Sequence, residues 1–316
     1  MTGTPAPGGE RPARLAAQIA NAGWPAAALL AGAALALLGA LVLPAAVVVL
    51  PLMLAGNVAL VTLLALETGA APALRCLLLT VALLAPLLLL GAGPLGYVLL
   101  IAWLPALLGG LALRAWRSLP LALLLLTALA VGVLLLVDVS GLASGQAQLR
   151  ASLFDSLHRL DPKLPAAELD AALDVMMTLA GGLVALMLQA AWSGGLCLGR
   201  SLQARLRRPG AFAQEFRALR FGRVYALLVL AALAAAAVWR LGAGGLAVEL
   251  ALVLAFAALL QGLAVLHAHT ARSARWRRLP WLVYVLLALA TPQIGSLLVL
   301  LGLVDNWADF RNRPLR

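Results

Sequence analysis

The stretch 119-LPLALLLLTALAVGVLLLV-137 contains nineteen consecutive residues without a charged or amide side chain. A helix of this length rises about 28 Å, close to the hydrocarbon thickness of a bilayer. The strands of a membrane barrel would alternate polar and apolar residues, whereas this stretch is almost continuous Leu, Ala and Val. It therefore predicts a transmembrane α-helix.

Similar apolar runs recur on both sides of this stretch. The nine runs are residues 26–43, 45–66, 73–90, 95–113, 119–137, 174–198, 224–240, 246–266 and 281–304. Hydrophobic residues make up 64% of the 316 residues and charged residues only 11%, whereas a soluble domain is near half apolar and a quarter charged. These values exclude a water-soluble enzyme, a disordered chain and a disulfide scaffold. The predicted fold class is all-α, a polytopic transmembrane helical bundle with eight to ten membrane segments.

The 22 Arg and one Lys predict how these segments are oriented. Sixteen of the 23 basic residues fall in connections on one side of the predicted bundle, and only four on the other. Cytoplasmic loops carry such an excess, so the N-terminus is predicted to be cytoplasmic. The net charge of +11 does not indicate nucleic-acid binding, because the basic clusters lie between apolar runs and no soluble domain accompanies them.

Three regions follow from this pattern: a cytoplasmic N-terminal segment (1–24), a transmembrane helical domain (25–304) and a C-terminal tail (305–316). The domain includes an extracytoplasmic insert at 138–173, where Leu149, Leu153 and Leu157 recur at helical spacing and predict an amphipathic helix. It also includes a basic cytoplasmic loop at 200–223.

Two alternatives stay open for the basic loop. Arg217, Arg220 and Arg223 lie near Phe212 and Phe216, an arrangement that suits contact with anionic lipid headgroups at the interface. The same arginines also serve simply as charges that fix the topology.

The last apolar run conflicts with the charge pattern. Nine crossings would export the tail, although Arg311, Arg313 and Arg316 favour the cytoplasm. Either residues 281–304 cross once and the tail is exported, or Thr291-Pro292 breaks the run into two half-helices that return the tail inward.

Polar residues inside apolar runs are the candidate contacts for a ligand, because an ionisable group at membrane depth is costly and faces the bundle interior. Glu249 suits a proton or cation site, or alternatively a pair with Arg240 at the outer interface. Gln261 suits either an interhelical hydrogen bond or a ligand contact.

The tail supplies the remaining candidates for ligand or partner contacts. Asp305 and Asp309 are four residues apart and share a face of a helix, where they suit a cation or an arginine. Trp307 suits the membrane interface, and Arg311 or arginines of the cytoplasmic loops are candidate partners for the carboxylates.

Catalytic patterns are missing from the sequence. It contains no phosphate-binding loop, no nucleophile elbow and no zinc-type histidine spacing. We therefore predict no catalytic residue, no metal site, no cofactor and no enzyme activity.

The stretch Gln261-Gly262-Leu263-Ala264-Val265, the basic loop after it and the ending Gly302 to Arg311 resemble the YybS-like family of bacterial multi-pass membrane proteins. The resemblance implies a bacterial cytoplasmic (inner) membrane location and no established activity.

The expected function is that of a transport-related subunit that binds a small solute or lipid and has no ATPase of its own. The alternative is a non-catalytic scaffold that acts through its basic loops and tail. The expected partners are the lipid bilayer and a membrane protein or a second copy of the chain.

Overall fold

The computed structural model describes residues 23–40, 46–89, 93–139, 143–160, 165–239, 245–272, 276 and 278–312. Within these ranges every regular element is helical, which confirms the predicted all-α class. The helices are α1 (Gly23–Ala40), α2 (Ala46–Thr68), α3 (Ala70–Leu89), α4 (Gly93–Trp116), α5 (Leu119–Val139), α6 (Ala143–Leu160), α7 (Ala166–Thr178), α8 (Ala180–Arg207), α9 (Ala211–Arg217), α10 (Arg223–Trp239), α11 (Gly245–Thr270), α12 (Leu279–Leu289) and α13 (Thr291–Ala308). A 3-10 helix, Phe310–Asn312, follows α13.

Five of the described helices, α2, α3, α5, α8 and α11, are long and apolar enough to cross a membrane. This is fewer than the eight to ten segments predicted. Four other helices have shorter apolar stretches, at Ala26–Ala36, Leu100–Trp116, Arg223–Val238 and Leu279–Leu289. Three of the predicted runs correspond to helices whose apolar stretch is too short, and a fourth is interrupted, because residues 281–304 are one run but the helix breaks at Ala290.

The distribution of side chains supports a membrane location. Leu89 is 87% exposed and Val224 is 83% exposed, while Gln189 and Gln261 are almost fully buried. Apolar groups outside and amide groups inside are expected for a bundle whose outer surface meets lipid. The described chain is therefore an all-helical membrane protein.

The chain divides into two compact units, and α5 and α8 contribute to both. Unit 1 comprises the described residues of Met1–Leu126 and Ala190–Leu219. In this unit α2 is contacted closely by two helices, because Gly195 of α8 lies against Val58 and Gly110 of α4 lies against Ala65. Trp103 also donates a hydrogen bond to the Asn57 side chain over 2.6 Å.

Unit 2 comprises the described residues of Thr127–Gln189 and Arg220–Arg316. It contains the region predicted as an amphipathic insert, where α6 and α7 form a helical pair. The guanidinium group of Arg150 on α6 lies 3.0 Å from Asp170 and 2.9 Å from Asp174, both on α7. The adjacent carboxylates raise the pKa of Arg150.

The last apolar run is a broken hairpin in unit 2. Pro292 stands in the first turn of α13, and Ala290 has φ −133° and ψ 54°, outside the helical region. Arg272, which precedes the hairpin, donates a hydrogen bond to the carbonyl of Arg311, which follows it. The run is thus broken beside Thr291-Pro292, as the second of the two predicted arrangements requires, and Arg311 lies beside Arg272, just after the end of α11.

Candidate functional site

The close approach of α11 and α13 creates the candidate site in unit 2. A Cβ atom at Gly302 would lie 2.8 Å from the amide nitrogen of Gly262, and a Cβ at Gly262 would overlap the carbonyl of Leu298. Two glycines therefore let the helix backbones meet where side chains would hold them apart. This contact brings residues from the end of α13 beside Gln261 of α11.

Gln261 connects three segments of the chain. It is 1% exposed, and its Oε1 accepts a hydrogen bond from the backbone amide of Phe221 over 3.0 Å. Its Nε2 donates to the carbonyl of Gly302 over 2.9 Å. Of its two predicted uses, the interhelical hydrogen bond is present.

Asp305 is the centre of this site and is fully buried. Three donors lie near its Oδ2 atom: Arg311 Nε at 3.2 Å, Arg220 Nη2 at 3.5 Å and Gln261 Nε2 at 3.5 Å. Its Oδ1 atom is also buried and has no hydrogen-bond partner among the described residues. A buried carboxylate oxygen that lacks a donor is unfavourable, and a ligand that supplies one would relieve it.

Two arginines balance the charge of the two tail carboxylates. Arg220 pairs with Asp309 as well as with Asp305. The hydrogen bond that Arg220 donates to the Asp309 carboxylate is the main reason that the pKa of Arg220 is raised. Burial lowers the pKa of Arg311, while the charge of Asp305 opposes this effect. We call Arg220, Gln261, Asp305, Asp309 and Arg311 the tail cluster.

The tail cluster unites four of the six candidate residues: Gln261, Asp305, Asp309 and Arg311. Trp307 lies on the same helix but is 46% exposed, which suits the predicted interfacial position. Asn306 is buried in the same turn, where its amide donates to the carbonyl of Gly302.

Glu249, the sixth candidate, is not part of the tail cluster. Its carboxylate accepts a hydrogen bond of 2.8 Å from the amide of Gly182 in the first turn of α8. This turn has free amides and a partial positive charge, so a carboxylate there acts as a helix cap. Arg240, the alternative partner of Glu249, lies outside the described residues.

The sequence predicted that Arg311 or arginines of the cytoplasmic loops pair with the tail carboxylates, but it did not single out Arg220 among them. For Arg220 and Arg223 it left contact with lipid headgroups and a purely topological role as alternatives. In the structure Arg220 pairs with the tail, and Arg223 lies 3.4 Å from the carbonyl of Asn306. The sequence did contain a signal for this pairing, because carboxylates in the tail are stabilised by nearby cations. The sequence could not specify which of the many arginines would supply them.

Within the described residues no group of three or more His, Cys, Asp or Glu could hold a metal ion. The tail cluster is instead a charge-balanced set of donors and acceptors, suited to binding and positioning. Comparison of the chain with protein family models, with characterised proteins and with solved structures gives no match.

Proposed function

We propose that the chain is a transport-related subunit of a bacterial inner membrane that binds a small solute or lipid and has no ATPase of its own. The single observation that carries this proposal is the buried carboxylate of Asp305, which has one oxygen without a hydrogen-bond partner among the described residues. Asp305 lies in the last turn of α13, the second helix of the broken hairpin. Interrupted segments with ionisable groups are typical of substrate and ion sites in transporters.

In the proposed arrangement three of the helices with shorter apolar stretches, α1, α4 and α10, cross the membrane together with the five membrane-length ones, which gives eight crossings. The hairpin α12–α13 enters and leaves at the cytoplasmic face. An even number of crossings places both termini in the cytoplasm, and Arg311, Arg313 and Arg316 then obey the positive-inside rule.

The proposed ligand presents a hydrogen-bond donor, such as an ammonium or hydroxyl group, to Oδ1 of Asp305. Arg220, Arg311 and Gln261 all lie near Oδ2, so a donor bound to Oδ1 would leave these contacts in place. Binding would stabilise one position of α13 relative to α11, and a transport step needs such a two-state element.

The proposal is tested by native mass spectrometry of the detergent-purified protein. We expect the wild type to retain a small molecule or lipid, and Asp305→Asn to lose most of it because the charge that binds the donor is gone. The matched control is Asp155→Asn, which removes the same charge from an exposed position of α6 and should retain the ligand fully. Thermal melting of each variant checks its folding.

A scaffold that uses its tail to recruit partners is less consistent with these contacts, because Asp305, Asn306 and Arg311 are buried within unit 2. A wild type that carries no bound molecule, but forms a stable protein complex lost on deletion of residues 305–316, would replace the transport proposal with the scaffold.

A further inference from the structure

Unit 1 contains a second arrangement of charged residues, around a cavity of about 600 Å³. This volume lies within the ~300–1,000 Å³ that is typical of small-molecule pockets. The basic residues that line it are Arg114, Arg117, Arg200, Arg207 and Arg208. The acidic residues are Glu67 and Glu215. Five arginines against two glutamates give the lining a formal charge of +3.

Three helices end at this cavity. α2 ends at Thr68, α4 at Trp116 and α8 at Arg207. The carbonyl groups at a helix C-terminus carry partial negative charge and attract basic residues. Arg114 is explained in this way, since it donates a hydrogen bond of 2.7 Å to the carbonyl of Leu66 in the last turn of α2.

Two further arginines are held by carboxylates in the wall. Arg200 pairs with Glu215, and Arg207 pairs with Oε2 of Glu67. These contacts fix the guanidinium groups in place before any ligand binds, which lowers the entropy cost of binding. The other oxygen of Glu67, Oε1, is buried and has no hydrogen-bond partner among the described residues.

Arg117 and Arg208 are different, because neither makes an ion pair within the described part of the chain. Both are exposed, and Arg117 has a φ of 51° at the junction of α4 and α5. The left-handed region is sparsely populated by non-glycine residues. No carboxylate among the described residues therefore neutralises these two guanidinium groups at the cavity.

We propose that this cavity binds the phosphate group of a phosphate ester, either a soluble metabolite or a lipid headgroup. A phosphate monoester brings a charge near −2 and three free acceptor oxygens, and the diester of a lipid headgroup brings a charge of about −1 and two such oxygens. The planar guanidinium fork binds these oxygens in pairs. Arg117 and Arg208 contact the phosphate, while Arg200 and Arg207 form the fixed wall. An ester that carries a hydroxyl beside its phosphate also supplies the donor that Oε1 of Glu67 lacks. This site is independent of the tail cluster and of the proposed ligand of Asp305.

The test compares two double variants that remove the same charge. Arg117→Gln/Arg208→Gln removes the two unpaired cavity arginines. Arg75→Gln/Arg205→Gln removes two exposed arginines that do not line the cavity. Binding of glycerol 3-phosphate to the detergent-purified protein is measured by calorimetry. Phosphatidylglycerol is the lipid probe. The protein is incorporated into phosphatidylcholine nanodiscs that contain phosphatidylglycerol, and native mass spectrometry measures how much phosphatidylglycerol stays bound.

We expect the cavity variant to weaken binding at least about tenfold, because it loses two charge-assisted contacts, and the control variant to bind like the wild type. Binding of glycerol 3-phosphate identifies a soluble phosphate ester as the source, and binding of phosphatidylglycerol alone identifies a lipid headgroup. Equal weakening in both variants would show a general charge effect and overturn the site. Absence of wild-type binding to both probes would also overturn it.

Discussion

At the scale of single residues, polar side chains rather than apolar ones determine which helices meet. In a bilayer, lipid tails solvate leucine as well as another helix does, so apolar contact alone gives little preference for one partner. Gln261 and Asn57 are buried and bond to other segments. We therefore expect the largest stability effects at these few positions.

Replacing Gln261 by alanine tests this expectation directly. Gln261→Ala leaves the amide of Phe221 without its acceptor and the carbonyl of Gly302 without one of its donors, at a cost of about 1–3 kcal/mol. Thermal unfolding in detergent measures the loss. Gln293→Ala changes an exposed glutamine on α13 and should leave the midpoint unchanged. Equal midpoints for the two variants would mean that Gln261 does not hold these segments together.

Replacing Gly302 by alanine adds one methyl group at the point where α11 and α13 approach closely, and so tests that contact. In Gly302→Ala the new Cβ would overlap the carbonyl of Ala258, and the helices must separate at a cost of about 1–3 kcal/mol. The control is Gly132→Ala, because nothing lies within 4 Å of a Cβ at Gly132 and alanine favours a helix. We expect a lower melting temperature for the first variant and an equal or higher one for the second. The reverse order would contradict the packing of α13 on α11.

At the scale of helices, the sequence predicted the breaks better than the partners. Thr291-Pro292 was identified as a candidate break because proline lacks an amide hydrogen and clashes with the preceding turn, and α12 ends beside it. That signal is local and can be read from neighbouring residues. The pairing of α13 with α11 is different, because Gly262 and Gly302 are forty residues apart and glycines are frequent throughout the chain.

Because Glu249 caps α8, its replacement should destabilise the first turn of that helix. Glu249→Ala removes the acceptor of the Gly182 amide, and loss of such a cap costs about 0.5–2 kcal/mol. Hydrogen exchange followed by mass spectrometry should show faster exchange at the start of α8. Glu249→Gln keeps an acceptor oxygen and should largely preserve protection there. If both variants exchange at the wild-type rate, the carboxylate does not cap α8.

At the scale of the whole molecule, the sequence predicted the membrane class and named four of the five residues of the tail cluster, but it did not predict the cavity of unit 1. Composition and run length suffice for the class, because the bilayer permits few backbone structures. The arginines were predicted to set the topology as a group. However, Arg114, Arg200 and Arg207 line a cavity in unit 1, while Arg220 holds the tail in unit 2. Which site an arginine joins depends on which helix ends lie close together in the fold. Residues near that arginine in the sequence do not determine this.

Arg272 and Arg311 are in contact, so the segments around Ala271 and Ala308 must face the same compartment. Single cysteines at these two positions, in a chain with Cys76 and Cys197 changed to alanine, should react alike with a membrane-impermeant maleimide. We expect both to be protected in intact cells and labelled after the membrane is opened, as is a cysteine at Gln214 in the basic loop. A cysteine at Ala151 in α6 should be labelled in intact cells, because the proposed eight crossings would place the insert outside. Labelling of position 308 but not 271 in intact cells would mean that α13 crosses the membrane, and the returning hairpin would be wrong.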